Sequence, residues 1–378
     1  MSFDATHTAM TAASGNIATA TTPASLADEG EAFPRLPNHL VVTHILRSEH
    51  FDDPADLARL PAVSRAMRDL VAETGLRFEE LDEYLAVKLG CFSAVQRLNR
   101  GGRLSRQELL CAAAARSGQL EELTVLRANG CPWDEGTCAY AALGGQLEVL
   151  QWVRANGCPW DELTGYCAAE GGHLEVLKWA RANGCPWDEE ELNIAAAFGH
   201  EAMVRALIEL GTDVNNPWDN GTTPLFVAAA HRQEAIVRAL IELGADVNKA
   251  EDHGATPLFI AAQQGHEAVV QALIELVADV NKTKDDGWTP LYTAARNGHE
   301  MVVQALIELG ADVNKAKDDG RTPLYTAARR GHETVVRVLI ELGADISMAA
   351  DDSRTPLHIA VHHGHAAIVQ ILRDAGAV

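Results

Sequence analysis

Positive charge is scarce in this chain. It carries 31 Lys and Arg against 53 Asp and Glu, a formal net charge of -22, and a phosphate backbone or an anionic membrane needs a basic footprint to bind to. Nucleic acid and membrane are therefore not expected partners. Aromatic residues are also few, 5% against 47% hydrophobic overall, so the core must be built from Ala, Val, Leu and Ile, which suits close-packed helices. No apolar run approaches the ~20 residues that a transmembrane helix requires. No short apolar core behind a charged start marks a secretory signal. Residues 1–33 contain no Lys or Arg, the first being Arg35, whereas organelle transit peptides are usually basic. This segment reads as a disordered tail, and the chain as a soluble, monomeric protein of the cytoplasm or nucleus. Seven cysteines make an odd count, none forms C-x-x-C, and all lie between Cys91 and Cys185, so reduced thiols are expected. The phosphate-binding GxxxxGK[ST], the zinc-binding HExxH and the nucleophile GxSxG patterns do not occur, leaving an enzyme or a cofactor no residues to stand on.

What the chain has in abundance is repetition. One glycine anchors it: Gly90, Gly118, Gly145, Gly172 and Gly199, then Arg232 in its place, then Gly265, Gly298, Gly331 and Gly364. The spacings are 28, 27, 27 and 27, followed by 33 five times. After each anchor comes an amphipathic run, for example Val269, Val270, Leu273 and Ile274, whose i, i+1, i+4, i+5 pattern is one helical face. Before it lies a short Ala-rich segment such as PLYTAARRG, with a proline suited to a first helical turn and a glycine suited to a left-handed helix end. Each unit thus reads as helix, turn, helix. Neither helix pair can bury its apolar face alone, so the units must stack.

The 33-residue units, among them GWTPLYTAARNGHEMVVQALIELGADVNK, resemble the ankyrin repeat. Thr-Pro-Leu recurs at Pro224, Pro257, Pro290, Pro323 and Pro356, and Gly-Ala-Asp at Gly244, Gly310 and Gly343. The full family pattern TPLH stands only at Thr355 to His358; Phe226, Phe259, Tyr292 and Tyr325 replace the histidine elsewhere, so the family's local hydrogen bond is not expected at those four. The 27-residue units look like the same repeat with six residues removed where the family carries its projecting β-hairpin finger. The resemblance implies an all-α ankyrin solenoid over residues 76–378, with short units over 76–198 and full-length units with short β-hairpin fingers over 199–378.

The short units repeat RANGCPWDE three times, with Cys131, Cys158 and Cys185 at equivalent positions. Equivalent atoms of stacked helices lie roughly 8–10 Å apart, too far for a disulfide, which needs Cα atoms within ~7 Å, or for a shared zinc with sulfurs at ~2.3 Å. These three cannot pair among themselves. Cys-Pro-Trp-Asp is expected to be a turn in which Cys and Trp plug the seam and Asp134, Asp161 and Asp188 cap the following helices. His362, His363 and His365 resemble a metal cluster at first sight, but His365 holds a repeat position and the other two face outward on a first helix.

Ahead of the repeats, residues 34–75 read as three short helices with prolines at the joints. Leu36-Pro37 with Leu40, Ile45-Leu46, Asp56-Leu57 with Leu60, and Val63-Ser64-Arg65 with Arg68 and Leu70 resemble an F-box. Met67 stands where that family usually has tryptophan, and the stretch from Leu46 to Asp56 is about three residues longer than is common. The resemblance implies docking on a Skp-type adaptor of a cullin-RING ubiquitin ligase through Leu36, Pro37, Leu40, Ile45 and Leu46. The alternative is that these helices only cap the stack of a plain scaffold.

The ankyrin resemblance also implies a ligand face made of finger tips and first helices. Its positions are His253, Trp288, Arg321 and Arg354 near the tips, and Tyr292, Arg296, Asn297, Tyr325, Arg329, Arg330, His358, His362 and His363 on the first helices. This strip is basic and aromatic in an acidic protein, while Glu209, Glu242, Glu275, Glu308 and Glu341 repeat on the second helices. Arg and aromatic side chains anchor interfaces, so the expected partner is a protein that presents an acidic or phosphorylated segment.

Overall fold

The Thr-Pro pairs and the anchor glycines set where each helix starts and stops. The computed structural model describes residues 83–186 and 190–378, all within one compact unit. The expected tail, the F-box-like helices with Leu36, Pro37, Leu40, Ile45 and Leu46, and the cap at Asp188 lie outside the described residues. Ten helix pairs follow one another: Glu83–Lys88 and Phe92–Arg100 (α1, α2), Glu108–Arg116 and Leu120–Ala128 (α3, α4), Glu135–Leu143 and Leu147–Ala155 (α5, α6), Glu162–Gly171 and Leu174–Ala182 (α7, α8), Glu191–Phe198 and Glu201–Glu209 (α9, α10), Pro224–Ala230 and Glu234–Glu242 (α11, α12), Pro257–Gln264 and Glu267–Glu275 (α13, α14), Pro290–Asn297 and Glu300–Glu308 (α15, α16), Pro323–Arg330 and Glu333–Glu341 (α17, α18), and Pro356–His363 and Ala366–Asp374 (α19, α20).

In the long units each first helix opens on a threonine whose hydroxyl accepts the amide three residues on: Thr223 from Phe226 at 3.2 Å, Thr289 from Tyr292 at 3.0 Å, Thr322 from Tyr325 at 3.1 Å. Proline then takes the first helical position, where its missing N–H costs nothing. Half of the local hydrogen bonding therefore survives the loss of histidine. The reciprocal half returns only in α19, where the Thr355 amide donates to His358 Nδ1 at 3.4 Å and completes a capping box. Each first helix ends at its anchor glycine, whose φ runs from 72° to 85°, the left-handed conformation that glycine enters without a Cβ clash. Arg232, standing for one such glycine, is forced to φ 62°, and Val277, standing for a second-helix glycine, to φ 66°. The repeat register read from the sequence places Arg232 at this anchor position.

First helices stack on first helices along the chain, and in the long units second helices stack on second helices. Val302, Val303 and Leu306 of α16 and Val335, Val336 and Leu339 of α18 are buried between them, each large side chain contributing about 1.5–3 kcal/mol relative to exposure. In the short units the first helices α3, α5 and α7 approach one another most closely, while the second helices α4, α6 and α8 come into no comparable contact. Two glycines allow that approach. A Cβ on Gly144 would stand 2.3 Å from the Arg116 carbonyl oxygen, and one on Gly171 would stand 2.8 Å from that of Leu143. Long units hold Gln264, Asn297 or Arg330 at the same place before the anchor.

A second device ties each unit to its predecessor. The histidine after the anchor directs Nε2 at a first-helix carbonyl one unit back: His200 to Glu170, His266 to Ala230, His299 to Gln263, His332 to Arg296 and His365 to Arg329, at 2.9–3.1 Å. A carbonyl only accepts, so Nε2 carries the proton. The ring lies over the preceding unit's anchor glycine; a Cβ on Gly265 would meet His299 Nδ1 at 2.6 Å. Gln233 makes the same bond to the Ala197 carbonyl at 3.0 Å.

Between the long units the chain projects as a finger. Amides of Glu251, Lys284, Lys317 and Ala350 bond the carbonyls of Ala255, Trp288, Arg321 and Arg354 at 3.0 Å, closing one tight turn each. Neighbouring fingers join through Asp285 to His253 and Asp351 to Asp319, both at 3.1 Å. One closing pair is too short a ladder for a strand, and no β-strand occurs among the described residues; the expected β-hairpins are hydrogen-bonded turns. At the finger bases, Asn215, Asn248, Asn281 and Asn314 accept the amides of Asp246, Asp279, Asp312 and Asp345 in the next unit at 2.8–2.9 Å.

The Cys-Pro-Trp-Asp turns do fill the seam. Trp133 packs edge-on against Trp152 of the next unit at 6.0 Å, and Trp160 against Trp179 at 5.9 Å. Arg127 and Arg154 lie over the Trp133 and Trp160 rings, each at 3.9 Å. Asp161 caps Leu163 at 3.2 Å, but the Asp134 carboxylate turns instead to Arg106 at 2.7 Å.

Candidate protein-binding face

The fingers and the first helices α15, α17 and α19 carry the predicted strip, and its members have different environments. Tyr292 and Tyr325 are buried, 4% and 1% exposed, and so are not available to a partner. They sit at the third position of a first helix, where the ring turns inward under the finger: Trp288 packs edge-on against Tyr292 at 5.0 Å, and the Arg321 guanidinium lies 5.8 Å from the Tyr325 ring. Only His358, at the equivalent place in α19, is exposed, and there the imidazole is held by Thr355.

Trp288 is half-buried between two cations, with the Arg296 guanidinium 4.9 Å and the Lys317 ammonium 5.5 Å from its ring. This fastens a finger to its own helix and to the next finger. Arg321 and Arg354 have their charge met locally: Asp319 pairs with both Arg321, at 3.3 Å, and Lys317, at 3.0 Å, and Asp352 lies 3.9 Å from Arg354. Desolvation raises the Asp319 pKa, but the Lys317 hydrogen bond and the Arg321 charge outweigh it and hold the carboxyl below its ordinary value. Asn297 donates to the Gln263 carbonyl at 2.9 Å. Sequence reasoning missed Lys317, Asp319 and Asp352. The pattern Asp-x-Arg, read twice at a finger tip, was the signal.

Arg329 and Arg330 differ from these. Both are exposed at the end of α17, and among the described residues neither has an ion pair. Around them gather Arg354, His362, His363 and His365; loss of hydration first, then the charges of His362, Arg329, His365 and Arg354, lower the His363 pKa. His362 and His363 are in edge contact at 5.0 Å and His363 stacks on His365 at 6.1 Å. No group of three or more His, Cys, Asp or Glu among the described residues is placed to hold a metal ion. No helix among them is long and apolar enough to cross a membrane.

The acidic second helices behave differently along the stack. Arg205 bridges to Glu242 at 3.1 Å and Arg238 to Glu275 at 3.0 Å, one unit on, exposed pairs that solvent and salt screen. Gln271 and Gln304 then replace the arginine.

Set against known families, the chain matches the model described as ankyrin repeats three times, over residues 165–251, 244–317 and 309–378. No curated protein matches it. The family matches begin within α7, yet the shorter units before it share the same helix pairs, anchor glycines and stacking of first helix on first helix. With more than half of its residues matched, the chain belongs to the ankyrin repeat family.

Proposed function

We propose that this ankyrin module, a protein-protein interaction unit, holds its target by the first helices and fingers of its last three units, and that the target segment is acidic or phosphorylated. The supporting observation is the pair Arg329 and Arg330, exposed and without an ion pair among the described residues, beside Arg354 and three histidines. Trp288 and Arg296 shape the neighbouring surface but are engaged with each other, and Arg321 with Tyr325 and Asp319. Guanidinium groups suit carboxylate or phosphate through bidentate hydrogen bonds. The test is fluorescence anisotropy with an oligoglutamate peptide and its phosphoserine counterpart at rising salt. Arg329→Glu with Arg330→Glu should cost about 2 kcal/mol or more of binding, the size of a hot-spot loss, and Lys315→Glu, at an exposed finger base, much less. Equal losses would point to general charge and remove this face as the site.

The finer proposal is that the module recruits its target to a cullin-RING ubiquitin ligase. Its support is the F-box-like pattern of residues 34–75, with Leu36, Pro37, Leu40, Ile45 and Leu46 at the adaptor contact. Leu40→Asp with Ile45→Asp should abolish co-purification with a Skp-type adaptor while helicity of the repeats persists. Undiminished co-purification removes the ligase reading and leaves a scaffold.

A further inference from the structure

The three turn cysteines do not meet one another, but two of them meet a different cysteine. Cys131 Sγ lies 3.5 Å from the Gln107 carbonyl oxygen, Cys158 Sγ 3.3 Å from that of Asp134, and Cys185 Sγ 3.4 Å from that of Asp161. Four residues after each of these carbonyls, one helical turn on, stand Cys111, Cys138 and Gly165. The register therefore sets Cys131 against Cys111 and Cys158 against Cys138, both 20 residues apart in sequence, and leaves Cys185 without a thiol. The thiols of each pair stand close enough to perturb one another: Cys131 raises the Cys111 pKa, and Cys158 raises that of Cys138.

The two pairs differ in access and in charge. Cys111, Cys138 and Cys158 are fully buried, whereas Cys131 is partly exposed. Beside Cys131 the Arg127 guanidinium is fixed by the Trp133 ring at 3.9 Å and by the Cys131 carbonyl oxygen at 2.5 Å. The adjoining Cys111 thiol and then the Arg127 charge outweigh burial and lower the Cys131 pKa, while the nearness of Cys131 raises that of Cys111. One thiol is prepared as the nucleophile and its neighbour as the resolving group.

We propose that Cys111 and Cys131 form a dithiol site that a low-molecular-weight disulfide such as oxidised glutathione converts to an intrachain disulfide, with Cys138 and Cys158 a second copy shielded from solvent. The Cys131 thiolate attacks one glutathione sulfur, forming a mixed disulfide and releasing the first glutathione thiolate. Cys111 gives up its proton, attacks the Cys131 sulfur and releases the second glutathione. Two protein thiols are oxidised and one glutathione disulfide is reduced to two thiols. The bond joins α3 to the turn after α4, closing one helix pair on itself.

The full-length reduced chain is treated with oxidised glutathione, acid-quenched, denatured and assayed for thiols and cross-linked peptides. The seven thiols should fall by two, with the cross-link mapped to Cys111 and Cys131, and Cys138 and Cys158 should follow only once urea opens the stack. Cys111→Ala should retain one glutathione on Cys131, because nothing resolves the mixed disulfide. The wild-type map decides the matter even if that variant folds poorly. Persistence of all seven thiols, a stable glutathione adduct on wild-type Cys131, or a first disulfide between other cysteines would each overturn the assignment.

Discussion

Replacing Val277 with glycine should stabilise the repeats, and the structure supplies the magnitude. Val277 holds φ 66° and is 83% exposed, whereas Gly211, Gly244, Gly310 and Gly343 occupy the same place at φ from 93° to 102° with open space around a would-be Cβ. Leaving the left-handed region without a Cβ clash is worth roughly 1–2 kcal/mol, toward the upper end for a β-branched side chain. Against this, glycine frees the unfolded chain by about 0.4–1 kcal/mol, and the little apolar area lost is worth well under ~0.5 kcal/mol. The balance is a gain of about 1 kcal/mol. Equilibrium urea unfolding followed by circular dichroism reads it as a higher midpoint at unchanged slope. Val277→Ala should gain less, since it sheds the branch but keeps the Cβ, and Gly310→Val should lose a similar amount. A lower midpoint for Val277→Gly, or an unchanged one for Gly310→Val, would refute the reasoning, because both follow from φ alone.

Gly144→Ala places a methyl 2.3 Å from the Arg116 carbonyl oxygen and should destabilise the short units by about 1–3 kcal/mol, an overpacking cost read from the same urea titration. Burial lowers the pKa of His173 and His266, so the folded chain binds fewer protons than the unfolded one. The stabilisation from these two rings is complete above their unfolded value of ~6.5 and is lost as pH falls through their folded values. Urea midpoints at about pH 7.5 and about pH 5 should therefore diverge less in a His173→Gln, His266→Gln variant than in the wild type, Gln233 being the natural precedent for the substitution.

Period and anchor glycine alone located the twenty described helices and the strained Arg232, because a left-handed helix end is a demand on one position that repeats at a fixed interval. The predicted strip was legible as a row but not as a surface. Tyr292 and Tyr325 share a repeat position with the exposed His358, and the period does not show that the two rings turn inward under Trp288 and Arg321. The carboxylates of Asp319 and Asp352 were in plain view two residues before their arginines, yet that neutralisation depends on how tightly the finger turns. Cys131 and Cys158 were compared with their equivalents in other units, where stacking distance forbids contact. Their partners sit at a non-equivalent place one helical turn past the carbonyl they approach, a relation that periodicity does not display.

The histidine that reaches back over the preceding glycine has a consequence for how such a chain is made and lengthened. From His200 to His365 each unit carries its own donor, and the later unit donates to the earlier one. During synthesis each newly emerged helix pair finds its acceptor carbonyl already in place, so the array can close in the order in which the ribosome delivers it. For the same reason a duplicated unit arrives with both halves of its joint. Copies can be inserted or removed in the gene without redesigning their neighbours, and a lost histidine, as at Gln233, can be replaced by an amide that keeps the bond.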